Sequence, residues 1–176
     1  MKRTIYFVSG PAGVGKSTTA EKLVKSIEKC AYISGDDISH IPVNGRGQPW
    51  FCSDTLSLTW ENILSITRNL LKYNYDVVID YVTFPKELNW FVEQIKDIDT
   101  RIIYVVLLVD QETLAHRDSQ RPPEDQMGER SIDSLKEFNE TLIDDRYVID
   151  TSNKNMKKLE TIVNEIKTSK RFIFES

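Results

Sequence analysis

A single glycine-rich stretch near the N-terminus limits what this chain can fold into. Residues 10–17 read Gly-Pro-Ala-Gly-Val-Gly-Lys-Ser, which fits the phosphate-binding pattern G-x-x-x-x-G-K-[ST]. A short apolar run at residues 5–8 precedes the pattern, and residues 17–24 have the composition of a helix. Because the motif works as the turn between a strand and a helix, its surroundings agree with it. The sequence therefore predicts a nucleoside triphosphate site on an α/β fold.

The residue types in this loop suit the binding of phosphate. Glycines at positions 10, 13 and 15 allow backbone conformations that a Cβ atom would forbid, so that successive N–H groups can face a phosphate at the positive end of a helix. Lys16 is expected to reach the β- and γ-phosphates, and the Ser17 hydroxyl is expected to bind Mg²⁺. The alternative is an ordinary glycine turn that enters a helix beside an unrelated lysine. The predicted nucleotide contacts in this loop are Gly10, Ala12, Gly13, Val14, Gly15, Lys16, Ser17 and Thr18.

Length and composition limit the class of protein. The 176 residues are enough for one well-packed domain. The net charge is -4 and the basic residues are scattered, so we expect no nucleic-acid partner, which usually requires a basic patch. The two cysteines suit a reducing compartment, and the longest apolar run, residues 102–109, is too short to span a membrane. We therefore expect a cytoplasmic protein without a membrane partner, as a monomer or a homodimer.

Short apolar runs alternate with helix-like stretches along the chain. Strands are predicted at residues 4–9, 31–34, 77–80, 102–109 and 147–149. Helices are predicted at residues 16–29, 56–73, 85–97, 111–119, 129–141 and 157–168. Such alternation predicts a parallel sheet covered by helices on both faces, with ligands beyond the carboxyl ends of the strands. Two segments that contain glycines or prolines, 36–54 and 121–128, are predicted to be loops near the site.

Acidic residues follow several of the predicted strands. Asp80 ends a run of β-branched residues, which is a place where a carboxylate can hold Mg²⁺ directly or through water. The alternative is that Asp80 caps the helix that starts at Pro85. Asp110 and Asp150 stand at similar places, but a solvated loop explains each of them as well.

With these features the chain resembles small P-loop kinases of the gluconate kinase, shikimate kinase and adenylate kinase group, in particular uncharacterised bacterial proteins labelled gluconate-kinase-like. The resemblance covers nearly the whole chain and rests on residues 10–19, 77–85 and 126–130. It implies one three-layer α/β domain of the P-loop NTPase fold, with a five-stranded parallel sheet in the order 2-3-1-4-5 and helices on both faces. It also implies ATP and Mg²⁺ as cofactors, an acceptor-binding segment at about 36–75 and a mobile lid at about 117–130.

The segment after the second strand, Ser34-Gly-Asp-Asp, looks like the Asp-Gly-Asp of gluconate kinases, with His40 near the place of their His-Pro. By this resemblance Asp36 would orient the acceptor hydroxyl or take its proton, a role that suits a carboxylate facing a γ-phosphate. Ser34 replaces the first acidic residue of that motif, and His40 is displaced by one position. The alternatives are that Asp36 or Asp37 caps the helical segment that follows, and that His40 is an ordinary loop residue.

Two arginines, Arg117 and Arg121, resemble the Arg-x-x-x-Arg of nucleotide-kinase lids, in which the first lies against adenine and the second meets phosphate. Because they are four residues apart, they are predicted to share a helix face. Phosphoryl transfer needs charge neutralisation, so Arg121 is a candidate catalytic residue together with Lys16 and Asp36. The alternative is a solvated helix face. Arg130 is equally well explained by a pair with the acidic residue beside it or three positions further on.

Two further segments are candidates for contacts with the substrates. Residues 150–153 resemble the adenine-side loop of these kinases, which implies that Thr151 and Ser152 contact the base, although a plain turn is the alternative. The acceptor is expected between residues 42 and 68. Candidates there are Arg46, Trp50, Trp60, Glu61 and Arg68. Trp60 is favoured as a core residue, and Arg68 is equally well explained as a surface charge.

The leading hypothesis is a Mg-ATP-dependent kinase that phosphorylates a hydroxyl of a small metabolite, such as a gluconate-like compound. One alternative is a kinase of nucleic-acid ends, which would need a basic groove with aromatic platforms. The other is a module that binds ATP without turnover. Neither the acceptor nor the preference for ATP over GTP follows from the sequence.

Overall fold

The protein is built on one five-stranded parallel sheet. In the computed structural model, which describes residues 2–152 and 156–175, the strands lie in the order β2-β3-β1-β4-β5. They are β1 (Arg3–Ser9), β2 (Cys30–Ser34), β3 (Asp76–Asp80), β4 (Thr100–Leu108) and β5 (Val148–Asp150). Every pairing between these strands is parallel, so their carboxyl ends meet at one edge of the sheet. The predicted fold class and strand order are confirmed.

Alternate residues of the central strand face two different cores. On β1, Tyr6 packs into one group of buried apolar side chains, while Ile5 and Phe7 pack into the other. The strand is buried along nearly its whole length because β3 and β4 pair with it on either side, where Ile5 lies opposite Val77 and Ile102. Two cores, one on each face, give the three-layer arrangement.

Within the described residues, seven α-helices surround the sheet. They are α1 (Lys16–Lys25), α2 (Gly35–Ser39), α3 (Ser53–Lys72), α4 (Pro85–Ile95), α5 (Gln111–Ser119), α6 (Glu129–Glu140) and α7 (Met156–Thr168). Side chains of α1 and α7 fill one core, and those of α3 and α4 fill the other. Helix α1 ends before the predicted residue 29, where the Ser26 hydroxyl donates a hydrogen bond to the Leu23 carbonyl oxygen (2.7 Å). None of the helices in these ranges is long and apolar enough to cross a membrane.

Helix α2 corrects the prediction of a loop at residues 36–54, for which a helical segment capped by Asp36 or Asp37 was the alternative. Ser34 caps this helix by accepting a hydrogen bond from the Asp37 N–H (3.1 Å). Asp36 and Asp37 occupy its first turn, where negative charge is favourable, and neither of them is the N-cap. The helix therefore holds Asp36 directly beyond the carboxyl end of β2.

Candidate active site

A cavity of about 1160 Å³ opens at the carboxyl edge of the sheet. The glycine-rich loop, residues 12–18, forms one end of the cavity wall. Side chains from α2, α4, α6 and the segment 46–56 form other parts of the wall. This position beyond the strand ends is where open α/β sheets bind their ligands.

The glycine-rich loop adopts a backbone that suits its motif. Gly10 has a φ of 137°, and a Cβ atom there would lie 2.3 Å from the carbonyl oxygen of Leu107 on β4, so the position requires glycine. Gly15, with a φ of 102°, is the N-cap of α1. Residues 12–18 line the cavity, whereas Gly10 is buried where the loop meets the sheet. A phosphate at this end of the cavity would face the N-terminus of α1.

Lys16 lies buried at this end of the cavity. Its Nζ atom donates a hydrogen bond to the Pro11 carbonyl oxygen (3.0 Å). Burial lowers the pKa of the ammonium group, and the negative charges of Asp80 and Asp36 oppose that effect. Three side chains that the sequence singled out in separate segments therefore lie close enough to act on one another's charge.

Asp80 is nearly buried at the end of β3, with 5% of its surface exposed. Burial raises the pKa of its carboxyl group, while Lys16 and hydrogen bonds from Ser17 and Tyr32 lower it. The residue does not cap the following helix, because the N-cap of α4 is Phe84. Asp80 and Ser17 thus lie within hydrogen-bonding distance of each other, and their joint binding of Mg²⁺ stays a prediction.

The Tyr32 hydroxyl donates a hydrogen bond to the Asp80 Oδ2 atom (2.7 Å). Tyr32 lies on β2, the edge strand next to β3, opposite Val78. Burial and the charge of Asp80 raise the pKa of the phenol, so it remains a donor at neutral pH. Sequence reasoning missed this residue, because nothing in a short edge strand indicates which aromatic side chain reaches across to the neighbouring strand.

The raised pKa of Asp80 predicts how stability depends on pH. A carboxyl group with a higher pKa in the folded protein than in the unfolded chain stabilises the fold at low pH, and that stability is lost as pH rises through the folded pKa. We therefore expect Asp80→Asn to raise the Tm of the nucleotide-free protein at pH 8, by about 2–4 °C for each kcal/mol gained. Thermal unfolding at a series of pH values below 8 should show that the Tm difference between the variant and the native protein becomes smaller. A Tm difference that is negative or independent of pH would contradict the assignment.

The opposite pH dependence of stability is expected for the contribution of Asp110. This residue caps α5 by accepting hydrogen bonds from the N–H (2.8 Å) and the hydroxyl (2.7 Å) of Thr113, and these bonds lower its pKa. Its contribution is present above the unfolded pKa and is lost as pH falls through the folded value. Asp110→Ala therefore serves as the control that lowers Tm at neutral pH. The structure assigns Asp110 to a helix cap.

Asp36 faces the cavity beside a buried tyrosine. Tyr81 has 5% of its surface exposed and also lines the cavity. Burial, together with the negative charge of Asp36, raises the pKa of this phenol to about 12. The backbone of Gly35 packs against the ring, since a Cβ atom there would lie 2.2 Å from Tyr81 Cγ.

This close approach predicts a large effect for Gly35→Ala. The added methyl group would overlap the root of the Tyr81 side chain, so that α2 and the ring must separate and Asp36 must shift. Because a misplacement of about 1 Å can cost about 10²-fold in rate, the kinase hypothesis predicts a loss of at least that size in phosphoryl transfer. ATP affinity should stay within about two-fold of the native value, because the glycine-rich loop is untouched. Steady-state kinetics and ATP titration test this, and unchanged transfer would refute the packing argument.

His40 and Arg46 also line the cavity, and both are tied to α2. The His40 Nδ1 atom lies 2.6 Å from the Asp36 carbonyl oxygen. Arg46 donates to the Ser39 carbonyl oxygen (2.7 Å) through Nε and to the Ser39 hydroxyl (2.9 Å) through Nη2. These bonds fasten the following loop to the helix that carries Asp36.

Arg117 lies at the end of the cavity that the glycine-rich loop forms. Its Nη1 atom donates to the Val14 carbonyl oxygen (3.2 Å), and its Nη2 atom donates to the Thr151 carbonyl oxygen (2.6 Å). Burial lowers the pKa of the guanidinium, and acidic neighbours oppose that effect. The arginine thereby connects the glycine-rich loop to the loop after β5.

The loop after β5 is held by its own polar groups. Thr151 is fully buried, and its hydroxyl donates to the Leu108 carbonyl oxygen (3.0 Å). The Ser152 hydroxyl donates to Asp150 (2.6 Å), which this structure therefore places in a turn. Among the described residues, the cavity wall does not include Thr151 or Ser152, so their contact with adenine stays a prediction. Asn153, which belongs to the same predicted segment, lies outside the described residues.

Arg121 lines the cavity but does not share a helix face with Arg117. Helix α5 ends at Ser119, and Arg121 follows its C-cap, so the prediction of a common helix face is wrong. The positive charge of Arg121 lowers the pKa of Lys16, which indicates that the two cations lie within electrostatic reach of each other. Two cations at one end of a cavity suit a polyphosphate.

Asp118 ties together the two ends of the segment predicted as a lid. Its carboxylate is almost fully buried and accepts hydrogen bonds from the backbone N–H groups of Met127 (3.0 Å) and Gly128 (2.7 Å). The segment between them contains a short 3-10 helix at Pro123–Asp125. An acidic residue in the last turn of a helix is unfavourable for the helix dipole, and this anomaly was the sequence signal for a special role.

The far end of the cavity is partly aromatic. Arg130 on α6 forms two hydrogen bonds with Glu137 (2.7 and 3.2 Å), and its guanidinium lies 5.0 Å from the centre of the Trp50 ring. Its partner is therefore Glu137, two turns along the helix, and not one of the acidic neighbours considered in the sequence. Glu87 and Ser134 complete this wall, and sequence reasoning missed both because they come from helices distant in the chain.

Three predicted acceptor candidates lie away from the cavity. Trp60 is a core residue, with 3% of its surface exposed, and packs against Tyr81 at 5.5 Å between ring centres. Arg68 is bound to Asp97 and to the Gln94 carbonyl oxygen on the outer surface. Glu61 is exposed on α3. The segment 36–75 therefore reaches the described cavity wall only through residues 36–56 and not through the rest of α3.

A comparison with protein families finds one matching family model. A family model described as an AAA domain matches residues 5–142, which are more than half of the chain. Among curated proteins, none matches the sequence significantly.

Several solved kinase structures share the fold. An unliganded sugar kinase from Janibacter sp. HTCC2649 has a TM-score of 0.69 at 14% identity, and the match covers 99% of this chain and 100% of that chain. A gluconokinase from Sinorhizobium meliloti 1021 has a TM-score of 0.62 at 20% identity, with 94% and 89% covered. The Mycobacterium tuberculosis APS kinase CysC, in complex with AMPPNP and APS, has a TM-score of 0.65 at 12% identity, with 95% and 98% covered. At these identities the likeness shows the fold alone.

Proposed function

Because the chain belongs to the AAA domain family and has a P-loop kinase-like fold, we propose that it is an ATP-dependent kinase that moves the γ-phosphate to a hydroxyl group of a small molecule. The observation that carries the proposal is the meeting of Asp36, Lys16 and Asp80 at one edge of the sheet. Phosphoryl transfer requires a carboxylate for the alcohol, a cation for the phosphates and a carboxylate for a metal ion. Asp36, Lys16 and Asp80 would supply these groups in that order.

In this proposal each side chain has a distinct role. Asp36 orients the acceptor hydroxyl and accepts its proton as the new O–P bond forms and the bond to the leaving phosphate breaks. Lys16 and Arg121 neutralise the negative charge that spreads over the transferred group. Arg117 holds the adenine end of the cavity in place, where Thr151 and Ser152 are expected near the base.

Mg²⁺ is part of the proposal, with Ser17 and Asp80 as its protein ligands. One hydroxyl and one carboxylate fit this ion, which usually keeps several waters and takes few protein ligands. When bound, it would neutralise charge on the phosphate oxygens. Tyr32 supports the site by holding the Asp80 carboxylate through its hydrogen bond.

A panel assay tests the proposal. ADP release from Mg-ATP is measured with sugar acids, polyols, nucleosides, aminoglycosides and 5′-hydroxyl oligonucleotides, and the phosphorylated product is recovered. We expect a small hydroxyl compound to stimulate release with the native protein and not with Asp36→Asn. Stimulation by oligonucleotides alone would favour a nucleic-acid end kinase. ATP binding without transfer to any acceptor would favour a nucleotide-sensing module.

A further inference from the structure

The part of the cavity wall that α4 and α6 form, which we call the acceptor end, contains polar side-chain atoms that lack hydrogen-bond partners within the described residues. The Oε2 atom of Glu87 and the hydroxyl of Ser134 are both buried and receive or donate no hydrogen bond there. Both residues line the cavity. Buried polar groups in folded proteins are almost always satisfied, so an orphaned pair in a cavity wall indicates a ligand.

Ser134 stands apart from the other hydroxyl groups of α6. The Ser131 hydroxyl donates to the Gly128 carbonyl oxygen (2.7 Å), and the Thr141 hydroxyl donates to the Glu137 carbonyl oxygen (2.7 Å). Such bonds to the preceding turn are the ordinary way in which a helical hydroxyl is satisfied. Ser134 has 1% of its surface exposed and makes no such bond in the described structure. Its hydroxyl is therefore available to a ligand.

The positively charged side chains at this end are largely engaged by other groups of the protein, so they do not favour an anionic ligand. Both Nη atoms of Arg130 are engaged by Glu137, and two of the three donor nitrogens of Arg46 are engaged by Ser39. The Oε2 atom of Glu87 is buried without a hydrogen-bond partner among the described residues, and a carboxylate only accepts hydrogen bonds. A ligand group that donates hydrogen bonds and carries positive charge satisfies it, whereas a second carboxylate would be repelled.

Large apolar side chains share this end of the cavity. The Trp50 ring contacts Arg130 and the Phe84 ring contacts Phe138, both on α6, and Leu56 and Met127 also line the cavity. Phe84 is stacked on Phe138 of α6 at 4.4 Å between ring centres, which holds the start of α4, with Glu87, against the helix that carries Ser134. An apolar wall with a few placed polar groups favours an amphipathic ligand over a fully hydroxylated one.

From these observations we propose that the acceptor is an amphipathic alcohol that carries an amine, with its ammonium group bound by Glu87 and Ser134 and its ring against Trp50 and Phe84. This inference rests on the proposed kinase function for the same cavity. It excludes sugar acids as the preferred class, since their carboxylate would face Glu87.

Three related probes test the inference by calorimetric titration of the protein in the presence of a non-hydrolysable ATP analogue. They are 2-amino-1-phenylethanol, 1-phenylethanol and mandelate, which share a phenyl-bearing alcohol and differ in an amine, a methyl group and a carboxylate. We expect the amine to bind most tightly and mandelate most weakly. Glu87→Gln should weaken the amine about ten-fold, and Ser134→Ala should weaken it less, because the bond between an ammonium and a carboxylate is charged on both sides, whereas the hydroxyl is neutral.

The control is Glu93→Gln, a matched change on the exposed face of α4, which should leave all three affinities unchanged. Tightest binding of mandelate, an unchanged amine affinity in Glu87→Gln, or no binding of any probe would overturn the inference. Different results would refute the proposed kinase function and the proposed amine subsite. Phosphoryl transfer to sugar acids alone would retain the kinase and refute the amine subsite. Amine binding that depends on Glu87, without transfer to any alcohol, would retain the subsite and refute the kinase.

Discussion

Asp36→Asn is expected to lower the rate of phosphoryl transfer by about 10²–10⁴-fold, the range for loss of a general base. Asparagine keeps the size of the side chain and can still accept a hydrogen bond, but it cannot take the proton of the acceptor hydroxyl. Asp36 belongs to α2 and not to the glycine-rich loop, so the Kd for Mg-ATP should change by no more than about three-fold. Rapid-quench measurement of transfer and fluorescence titration of ATP separate the two quantities.

The same helix offers a matched control in Asp37→Asn. Asp37 is also exposed in the first turn of α2, but it is not among the described residues that line the cavity. The control variant should retain transfer within about two-fold of the native rate. If Asp36→Asn transfers phosphate as fast as Asp37→Asn, then Asp36 is neither base nor orienting group.

The second large effect is expected for Lys16→Ala, which should remove nucleotide-dependent activity by at least about 10²–10³-fold. The ammonium group is held next to Pro11, inside the glycine-rich loop, where it can face phosphate without rearrangement of the chain. Without it, ATP loses a charge-assisted donor in a buried site. ATP should then no longer raise the Tm, whereas saturation at about 100 times Kd should stabilise the native protein by about 2.7 kcal/mol.

Lys25→Ala is the control for this change, because Lys25 lies exposed at the far end of the same helix. Its Tm shift with ATP should equal that of the native protein. A Lys16→Ala protein that ATP still stabilises fully would show that the loop binds nucleotide through its backbone alone.

The features that the sequence predicted correctly are those encoded within a few consecutive residues. The glycine-rich loop, the strand that ends at Asp80 and the alternation of strands and helices each depend on local pattern. The start of helix α2 was not predicted, because the helix is only five residues long and starts with a glycine. Its signal was present in Ser34, whose side chain caps the helix three residues before Asp37.

The acceptor end could not be predicted, because its groups meet only through packing between distant elements. Glu87 on α4 and Ser134 on α6 share a cavity wall because Phe84 stacks on Phe138, and Tyr32 reaches Asp80 on the neighbouring strand. Arg130 was expected beside its sequence neighbours, yet it pairs with Glu137, two turns along the helix. Contacts of this kind depend on side-chain direction in three dimensions, which a linear pattern does not contain.

The carboxylate of Asp118 has a consequence for the entropy of substrate binding. By holding the backbone at Met127 and Gly128, it fixes both ends of the intervening chain through contacts within the fold itself. Closure of a loop of this length ordinarily costs chain entropy that grows as about (3/2)RT ln n for n residues. Here folding has already restricted that freedom, so Arg121 can approach a phosphate as part of one ordered body. Asp118→Ala would remove these hydrogen bonds. The entropic cost of ordering the segment would then fall on the binding of ATP and not on folding.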